Sequence, residues 1–264
     1  MASTSPTSGG LPTHPRVVSQ EEWLKERLAL LAEEKAFTRQ RDALMQKVRN
    51  LPWVRVDKEY TFQAPHGSVT LRDLFGPHSQ LVVYHFMFDP TWSQGCKSCS
   101  FIAEHYDRLV VHLAHRDISL ITISKAPIQK LLEFRARLGW RFPWVSALNT
   151  DFGRDFGVSY TDQELADGQA VYNFTVRAQG MRELPGLSVF AKQPSGEIFH
   201  TYSVYARGLE NFLTAYQFMD IAPRGRHEEE TGGMGWLRHR DRYEDAAFVD
   251  PWNERPGVTS PARK

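Results

Sequence analysis

The apolar positions near the start of the chain recur with a helical period. Between Ser19 and Asn50 they follow a loose spacing of three to four residues, which predicts one long helix. Ser19 is the expected N-cap, Glu22 stands where a capping box would place it, and Pro52 ends the helix. Such a helix is typical of a packing arm or a dimerisation element, so the pattern is compatible with a homodimer.

Further along the chain, strand-like and helical patterns alternate. Two unbroken apolar runs, at residues 81–88 and 118–124, are typical of strands that are buried on both faces. Helical periodicity follows each run, at residues 100–115 and at 127–139, where Gly139 is the expected C′ residue. The remaining predicted elements are short strands at 60–62, 142–147, 187–192 and 197–202, one helical turn at 71–75, and a closing helix at 209–218.

This order of elements predicts an α/β domain. The strand–helix–strand connections favour a parallel core, and the hairpin around residues 193–196 adds antiparallel strands. We divide the chain into four segments. They are a disordered leader at 1–18, rich in Ser, Thr, Pro and Gly, a helical arm at 19–50, the α/β domain at 51–222, and a charged tail at 223–264 that wraps the domain or is partly mobile.

Composition excludes some classes of function. The 264 residues carry a formal net charge of +1 and no basic block, so we expect no nucleic-acid partner. The longest apolar run is far too short to cross a membrane, and the first residues lack the apolar stretch of a secretory signal. We therefore expect a cytoplasmic protein with no membrane partner, in a compartment where lasting structural disulfides are rare.

The candidate chemistry lies in the stretch GCKSCS, which holds the only two cysteines of the chain, Cys96 and Cys99. They stand between a buried strand and a helix, where free N–H groups and the helix dipole stabilise a thiolate. Lys97 adds a positive charge nearby. The pattern predicts a redox pair in which Cys96 attacks a substrate disulfide and Cys99 resolves the mixed disulfide.

Two other roles for the cysteines stay open at this point. They can be buried structural thiols, or they can bind a metal, since His112 and His115 follow at nearly the spacing of a zinc finger. If residues 100–115 form one helix, however, Cys99 and His112 lie roughly 20 Å apart at about 1.5 Å rise per residue. One zinc ion cannot span that distance, so we expect both histidines on the surface.

Three stretches resemble thioredoxins and peroxiredoxins. They are the strand–CxxC–helix unit, the segment ELPGLSVF, and the order ISLITIS, helix, DFGRDFGVS. In thioredoxins a cis-proline precedes an apolar strand and faces the cysteines, and Pro185 stands where that proline would. Peroxiredoxins show the same order of strand, helix, short strand and a segment similar to DFGV.

The chain is identified more specifically as a member of an uncharacterised, mostly bacterial thioredoxin-like family. This family is catalogued as a domain of unknown function and labelled a predicted dithiol–disulfide oxidoreductase. The pieces that carry the resemblance span roughly residues 40–245 and are LPWVRVDKEYTF, LVVYHFMF, GCKSCSF, HLAHRDISL, GWRFPWVS, DFGRDFGVS, LPGLSVF, HTYSVYARGLE and GWLRHRDRY. The resemblance implies a thioredoxin-like fold with a central mixed sheet flanked by helices, an N-terminal helix and a C-terminal tail.

The resemblance also implies an activity and site residues. We expect a thiol–disulfide oxidoreductase that acts on a disulfide-bearing or thiol substrate, needs no cofactor and is regenerated by a cellular reductant. Thioredoxins carry a buried acidic proton acceptor on the strand before the cysteines. His85 occupies a comparable strand, so it is a candidate for that role; the alternative is a core histidine. Asp89 is expected to cap the loop, and Trp92 to form an apolar lip or to pack in the core.

Two further functions are compatible with the resemblance. A peroxiredoxin-like peroxidase would use Cys96, with Ser93 at the Thr/Ser place of that motif but Pro90 one position too close. Its transition-state arginine would be one of Arg177, Arg182 and Arg207. A copper-binding module on this fold would combine the cysteine pair with a distant histidine, for which His85 and His200 are the candidates.

Overall fold

The computed structural model describes residues 15–176 and 178–243 of the chain. The strands of these residues are β1 (Val54–Arg55), β2 (Thr61–Ala64), β3 (Gly67–Thr70), β4 (Gln80–His85), β5 (Ile118–Ser124), β6 (Trp144–Ser146), β7 (Val171–Tyr172), β8 (Thr175–Val176), β9 (Gly186–Lys192) and β10 (Ile198–Tyr205). Their α-helices are α1 (Gln20–Arg49), α2 (Lys97–Tyr106), α3 (Val110–Ala114), α4 (Ile128–Arg137), α5 (Phe152–Asp155), α6 (Asp162–Ala166) and α7 (Thr214–Ile221). Short 3-10 helices lie at Asp73–Phe75, Ala206–Phe212, Glu229–Thr231, Met234–Trp236 and Arg240–Arg242.

Eight of these strands form one mixed sheet in the order β1-β10-β9-β4-β5-β6-β2-β3. Strands β4, β5 and β6 run parallel to one another, connected by helices, because a parallel neighbour requires a long crossover. Strand β9 is antiparallel to β4, and β10 is antiparallel to β9. The predicted α/β thioredoxin-like fold with a central mixed sheet is confirmed.

The central strand β4 divides its side chains between two cores, since successive residues of a strand point to opposite faces. Leu81 and Val83 belong to a core that includes Phe62 and Phe152. Tyr84 belongs to the other core. The helices that cover this second face contribute Ile102 and Tyr106 from α2, Leu131 and Phe134 from α4, and Tyr216 from α7. This helical face also holds Cys99, so the alternation along β4 decides which side chains reach the cysteines.

Several predicted boundaries are confirmed. Strand β5 spans the predicted residues 118–124. Helix α4 is followed by Gly139 in the left-handed region at φ 62°, which is the expected C′ conformation. The hairpin turn at 193–196 closes on Gly196 at φ 90°, and the N–H of Gln193 donates to the carbonyl of Glu197 at 2.9 Å.

The prediction of one helix over residues 100–115 is wrong. Helix α2 starts earlier, directly after Cys96, and the chain turns at residues 107–109 before α3 begins. The buried carboxylate of Asp107 accepts the N–H groups of Arg141 at 2.5 Å and Phe142 at 3.2 Å, so this turn anchors the segment that enters β6. His112 and His115 are exposed, as predicted.

Short elements were missed or merged by the sequence analysis. The predicted closing helix 209–218 is a 3-10 segment followed by α7. Strands β1, β3, β7 and β8 and helices α5 and α6 had no counterpart among the predictions. Elements of two to five residues contain too few positions for a periodic pattern to show.

The N-terminal helix α1 is confirmed. Ser19 Oγ accepts the N–H of Glu22 at 3.2 Å, which is the predicted N-cap bond. The carboxylate of Glu22 pairs with Arg16 at 2.7 Å, and no returning bond to Ser19 completes the predicted capping box among the described residues. No residue of α1 is buried. No helix of the described residues is long and apolar enough to cross a membrane.

The described part of the predicted tail wraps the domain. We call residues 223–243 the C-terminal segment. Within it, Trp236 packs edge-on against Phe101 at a centroid distance of 5.9 Å, Leu237 and His239 are buried, and Arg240 pairs with Glu104 at 3.0 Å. Residues 1–14 of the predicted leader and 244–264 of the predicted tail lie outside the described residues.

Candidate active site

The cysteine loop, residues 89–96, leaves the buried end of β4 and is anchored from both sides. The carboxylate of Asp89 accepts the N–H and the hydroxyl of Thr91 at 2.8 and 2.6 Å, so its predicted capping role is confirmed. Lys130 of α4 donates to the carbonyl oxygens of Pro90 at 2.7 Å and Trp92 at 2.8 Å. The Trp92 side chain is half-buried against the helical core, and its role as an apolar lip stays a prediction.

Gly95 is held against the aromatic core immediately before Cys96. A Cβ atom at this position would lie 2.7 Å from Phe86 and 3.0 Å from Phe134, closer than real side chains allow. On its other side, the ring of His239 donates from Nε2 to the Gly95 carbonyl at 2.9 Å. The loop therefore lies tightly between the core and the C-terminal segment, and this position has no room for a side chain.

Cys96 is the N-cap residue of α2, and Cys99 lies in its first turn. The N–H of Cys96 donates to the Met87 carbonyl at 3.1 Å, and the N–H of Met87 donates to Cys99 Sγ at 3.4 Å. Both cysteines are free thiols. Cys99 is 1% exposed, whereas Cys96 is only partly buried, so Cys96 is the sulfur that a substrate can reach.

The two thiols have opposite acidities. The hydrogen bond from Cys99 lowers the pKa of Cys96 to about 6, and the N–H groups of Cys99 and Ser98 add to this against the opposing effect of burial. Burial and the bond to Cys96 raise the pKa of Cys99 well above its usual value. At neutral pH the site therefore holds a Cys96 thiolate that accepts a bond from a Cys99 thiol, which supports the predicted division of roles.

Tyr84 is the polar side chain of β4 that reaches the cysteines, and the sequence analysis missed it. Its hydroxyl is buried beside the Cys99 thiol, and burial together with Cys99 raises the pKa of Tyr84 well above its usual value. This hydroxyl has no hydrogen-bond partner of regular geometry among the described residues. The neighbouring Tyr106, by contrast, bonds to Thr122 at 2.8 Å. The Tyr84 hydroxyl is thus available as a donor to the Cys99 sulfur.

The prediction that His85 serves as proton acceptor for Cys99 is corrected. His85 follows Tyr84 on the strand, so it points to the opposite face of the sheet, where its ring stacks on Phe152 at 5.6 Å. Its Nε2 lies 2.9 Å from the Ser188 hydroxyl. Burial lowers the pKa of His85 to about 3, so the ring is neutral at physiological pH. His85 is therefore a hydrogen-bonded core histidine.

Pro185 lies at the expected edge of the sheet but in a different conformation. The next residue, Gly186, pairs with His85 at the end of β4 from which the cysteine loop departs. The described residues contain no cis peptide bond, so the expectation of a cis-proline is corrected: Pro185 is trans. Its carbonyl accepts the hydroxyl of Tyr172 at 2.7 Å, which fixes this edge to the β7–β8 hairpin.

Two of the three candidate arginines, and both candidate histidines, are engaged elsewhere. Arg182 pairs with Asp162 through two short bonds, and Arg207 pairs with Glu210 at 3.0 Å on the surface. Arg177 lies outside the described residues. The Nε2 atom of His200 shares a hydrogen bond of 2.8 Å with the Ser203 hydroxyl. The His200 ring packs against Phe190. Within the described ranges, no group of three or more His, Cys, Asp and Glu side chains could hold a metal ion.

The tight packing of Gly95 predicts a stability effect. We expect Gly95→Ala to lower the free energy of unfolding by about 1–3 kcal/mol, because the added methyl group must displace Phe86 or Phe134. Gly180→Ala is the matched control, since nothing lies within 4 Å of its Cβ position. Urea unfolding of both variants makes the comparison. Equal stabilities would show that the loop can move away from the core without cost.

The acidity of Cys96 predicts the pH dependence of its alkylation. Because the pKa is lowered to about 6, the thiol form predominates below that pH and the thiolate above it. The rate of reaction with iodoacetamide, followed by mass spectrometry, should rise with a midpoint near pH 6 and then level off, whereas an ordinary cysteine has a midpoint near about 8.5. Cys99→Ala removes the main donor and should move the midpoint upward. An unchanged midpoint in this variant would contradict the assigned cause.

Comparisons with known proteins give likenesses of low score to solved structures and a match to one family. Among solved structures, the chain is similar to peroxidoxin BcpB from Mycobacterium tuberculosis, with 15% identity over 62% of this chain and 97% of that chain and a TM-score of 0.41. It is similar to peroxiredoxin Q from Xanthomonas campestris, with 19% identity over 59% and 87% of the two chains and a TM-score of 0.39. A protein described as thiol:disulfide interchange protein DsbE from Chlorobium tepidum has 13% identity over 62% and 97%, with a TM-score of 0.38.

Likenesses of this degree identify no activity, and no curated protein matches the chain. A family model, in contrast, matches nearly all of it. The model described as "Bacterial protein of unknown function (DUF899)" covers residues 12–243, which include the arm, the sheet, the cysteine loop and the C-terminal segment. The chain belongs to this bacterial family.

Proposed function

We propose that the chain catalyses thiol–disulfide exchange, with Cys96 as the nucleophile and Cys99 as the resolving thiol. One observation carries the proposal: a partly exposed cysteine at the N-cap of α2 stands three residues before a buried cysteine whose Sγ accepts the Met87 N–H, and the pKa of the exposed thiol is lowered to about 6. Two purely structural thiols do not require that one sulfur be exposed and acidic while the other is buried. A buried pair without function would instead show raised pKa values at both sulfurs.

In the first step, the Cys96 thiolate attacks one sulfur of a substrate disulfide. A bond forms between Cys96 Sγ and that sulfur, the substrate S–S bond breaks, and the second substrate sulfur leaves as a thiolate. The N–H groups of Ser98 and Cys99 hold the attacking thiolate before the reaction. When the Cys96 sulfur forms the mixed disulfide it loses its negative charge, so the N–H groups of Ser98 and Cys99 bind it more weakly. The Cys99 thiol then no longer has the Cys96 thiolate as a hydrogen-bond acceptor.

In the second step, Cys99 gives up its proton to the departed substrate thiolate or to water and attacks Cys96 Sγ. The mixed disulfide breaks, the second substrate thiolate leaves, and a Cys96–Cys99 disulfide forms, so the substrate gains two electrons and the enzyme loses two. The Met87 N–H already points at Cys99 Sγ, and the Tyr84 hydroxyl can add a second bond to the thiolate. A cellular dithiol reductant then restores the enzyme by the reverse exchange.

A working dithiol should titrate as a two-electron couple. We expect the purified protein, equilibrated in glutathione redox buffers and analysed by mass spectrometry after alkylation, to change by two thiols in one transition. Cys99→Ser should accumulate a mixed disulfide at Cys96, because the resolving sulfur is missing, and Cys96→Ser should accumulate none. Thiols that stay reduced in oxidising buffer would overturn the proposal and leave a structural role.

The same thiolate allows a test of the peroxidase alternative. We expect hydrogen peroxide to oxidise Cys96 no faster than it oxidises the thiolate of a free cysteine, since two of the three candidate arginines, Arg182 and Arg207, are engaged in ion pairs with Asp162 and Glu210. Stoichiometric oxidation within the mixing time of a stopped-flow experiment would instead assign the protein to the peroxidases. The glutathione titration does not depend on this outcome.

The Tyr84 hydroxyl should accelerate the second step. Tyr84→Phe removes a donor to the Cys99 thiolate, so we expect resolution of the mixed disulfide to slow by about 2- to 10-fold, which corresponds to about 0.5–1.5 kcal/mol for one hydrogen bond. The pH at which resolution is half-maximal should rise as well. Rapid quenching with acid and mass spectrometry follow the mixed disulfide over a pH series.

The matched control for this variant is Tyr106→Phe. Tyr106 lies in the same core, with its ring 5.5 Å from that of Tyr84, but its hydroxyl bonds to Thr122. Tyr106→Phe should leave the pH profile of resolution unchanged, although it costs stability. Equal effects of the two variants would mean that Tyr84 acts through packing alone.

A further inference from the structure

Helix α1 presents an apolar surface that the domain does not cover. Seven of its large apolar residues are spaced at multiples of seven positions in two rows, and no residue of the helix is buried. One row consists of Trp23, Leu30, Phe37 and Leu44, which are 50%, 51%, 67% and 55% exposed, and the second consists of Leu24, Leu31 and Met45. An apolar heptad repeat that continues for three to four heptads is typical of a helix that pairs with another helix.

Three charged residues run along the middle of this surface, also at a spacing of seven. They are Arg27, Glu34 and Arg41, which lie between the two apolar rows because residues seven apart share nearly the same face. Arg27 Nη2 bonds to Glu34 within the helix at 2.8 Å. Its Nη1 atom is shielded from water and has no hydrogen-bond partner among the described residues.

The Arg27 side chain is 36% exposed, and within the described part of the chain its Nη1 atom lacks the acceptor that a charged donor requires. The same surface displays large aromatic and aliphatic side chains to water, which marks an interaction site in a folded protein. These two observations are independent of each other and concern the same stretch of α1. The occupant of the surface must therefore supply both an apolar stripe and a carboxylate.

We propose that the occupant is a second copy of this chain, paired through α1 in antiparallel orientation. Two identical helices related by a two-fold axis between Arg27 and Glu34 bring each Arg27 next to the partner's Glu34, so that each guanidinium lies beside a carboxylate of both chains. In this arrangement Leu30 lies near the partner's Leu31, and Phe37 lies near the partner's Leu24. The overlap extends over residues 20–41.

The charges exclude the parallel alternative. Parallel helices in register would bring Arg27 against the partner's Arg27 and Glu34 against the partner's Glu34, and like charges in such positions oppose pairing. An unrelated partner helix would need positive and negative residues at matching intervals of seven, whereas a second copy of this chain has them because its sequence is the same. Self-complementarity of this kind is what an interface across a two-fold axis requires.

The test is the mass of the full chain in solution. Light scattering coupled to size exclusion should give twice the chain mass of 30.3 kDa at micromolar concentration. Phe37→Glu should give the monomer mass, because it places a charge in the apolar row. Ala29→Glu, on the opposite side of α1, is the matched control and should stay dimeric, and circular dichroism should show equal helix content in both variants.

Orientation is tested separately by cross-linking. In a Cys96→Ser, Cys99→Ser background, chains with Leu24→Cys and chains with Phe37→Cys should form a mixed disulfide when combined, whereas Leu44→Cys should not cross-link to itself. A monomer at all concentrations, or a dimer that Phe37→Glu leaves intact, would overturn the use of α1. Self-cross-linking of Leu44→Cys would overturn the antiparallel orientation. None of these outcomes depends on whether the cysteine pair is catalytic.

Discussion

The candidate site depends on one close contact, that of Gly95 with the rings of Phe86 and Phe134. Because Gly95 has no side chain, the loop sinks onto the core until the Cys96 N–H reaches the Met87 carbonyl. This contact places Cys96 at the N-cap of α2 and Cys99 in the first turn of that helix, where it is buried. The acidity of one sulfur and the burial of the other both follow from that single placement.

The same placement has a consequence for the direction of exchange. The donors that point at the pair, which are the Ser98 and Cys99 N–H groups and the Met87 N–H, all stabilise a thiolate. A disulfide has no charge for these donors to stabilise, so they favour the reduced form over the oxidised form. A dithiol with a stabilised reduced form has a higher reduction potential, as the comparison of thioredoxin with stronger oxidants illustrates. Under the proposed function, the site is less reducing than an unassisted pair of cysteines.

Much of this arrangement could be predicted from the sequence, and the limits have physical causes. The long apolar runs identified β4 and β5, and the cysteine spacing identified the helix N-terminus, since these signals are local. The faces of β4 could not be assigned, because alternation shows that Tyr84 and His85 point in opposite directions but not which one faces the helices. That choice depends on which core closes over each face, and the prediction selected His85 where Tyr84 was required. The turn at Asp107 likewise follows from a distant contact, since its carboxylate accepts the N–H of Arg141.

Thioredoxins carry an acidic group near the resolving cysteine, whereas this chain has Tyr84 beside Cys99. This difference changes how the Cys99 thiol can be activated. A carboxylate can accept the proton of a buried thiol, but a tyrosine whose pKa is raised well above its usual value stays protonated and can only donate. His85 cannot replace it, since it bonds to Ser188 on the other face and its pKa is lowered to about 3. In the proposed reaction, Cys99 must therefore lose its proton to the departing substrate sulfur or to water. Resolution is then coupled to the arrival of a substrate, and the resting pair keeps a single negative charge on the sulfur that a substrate can reach.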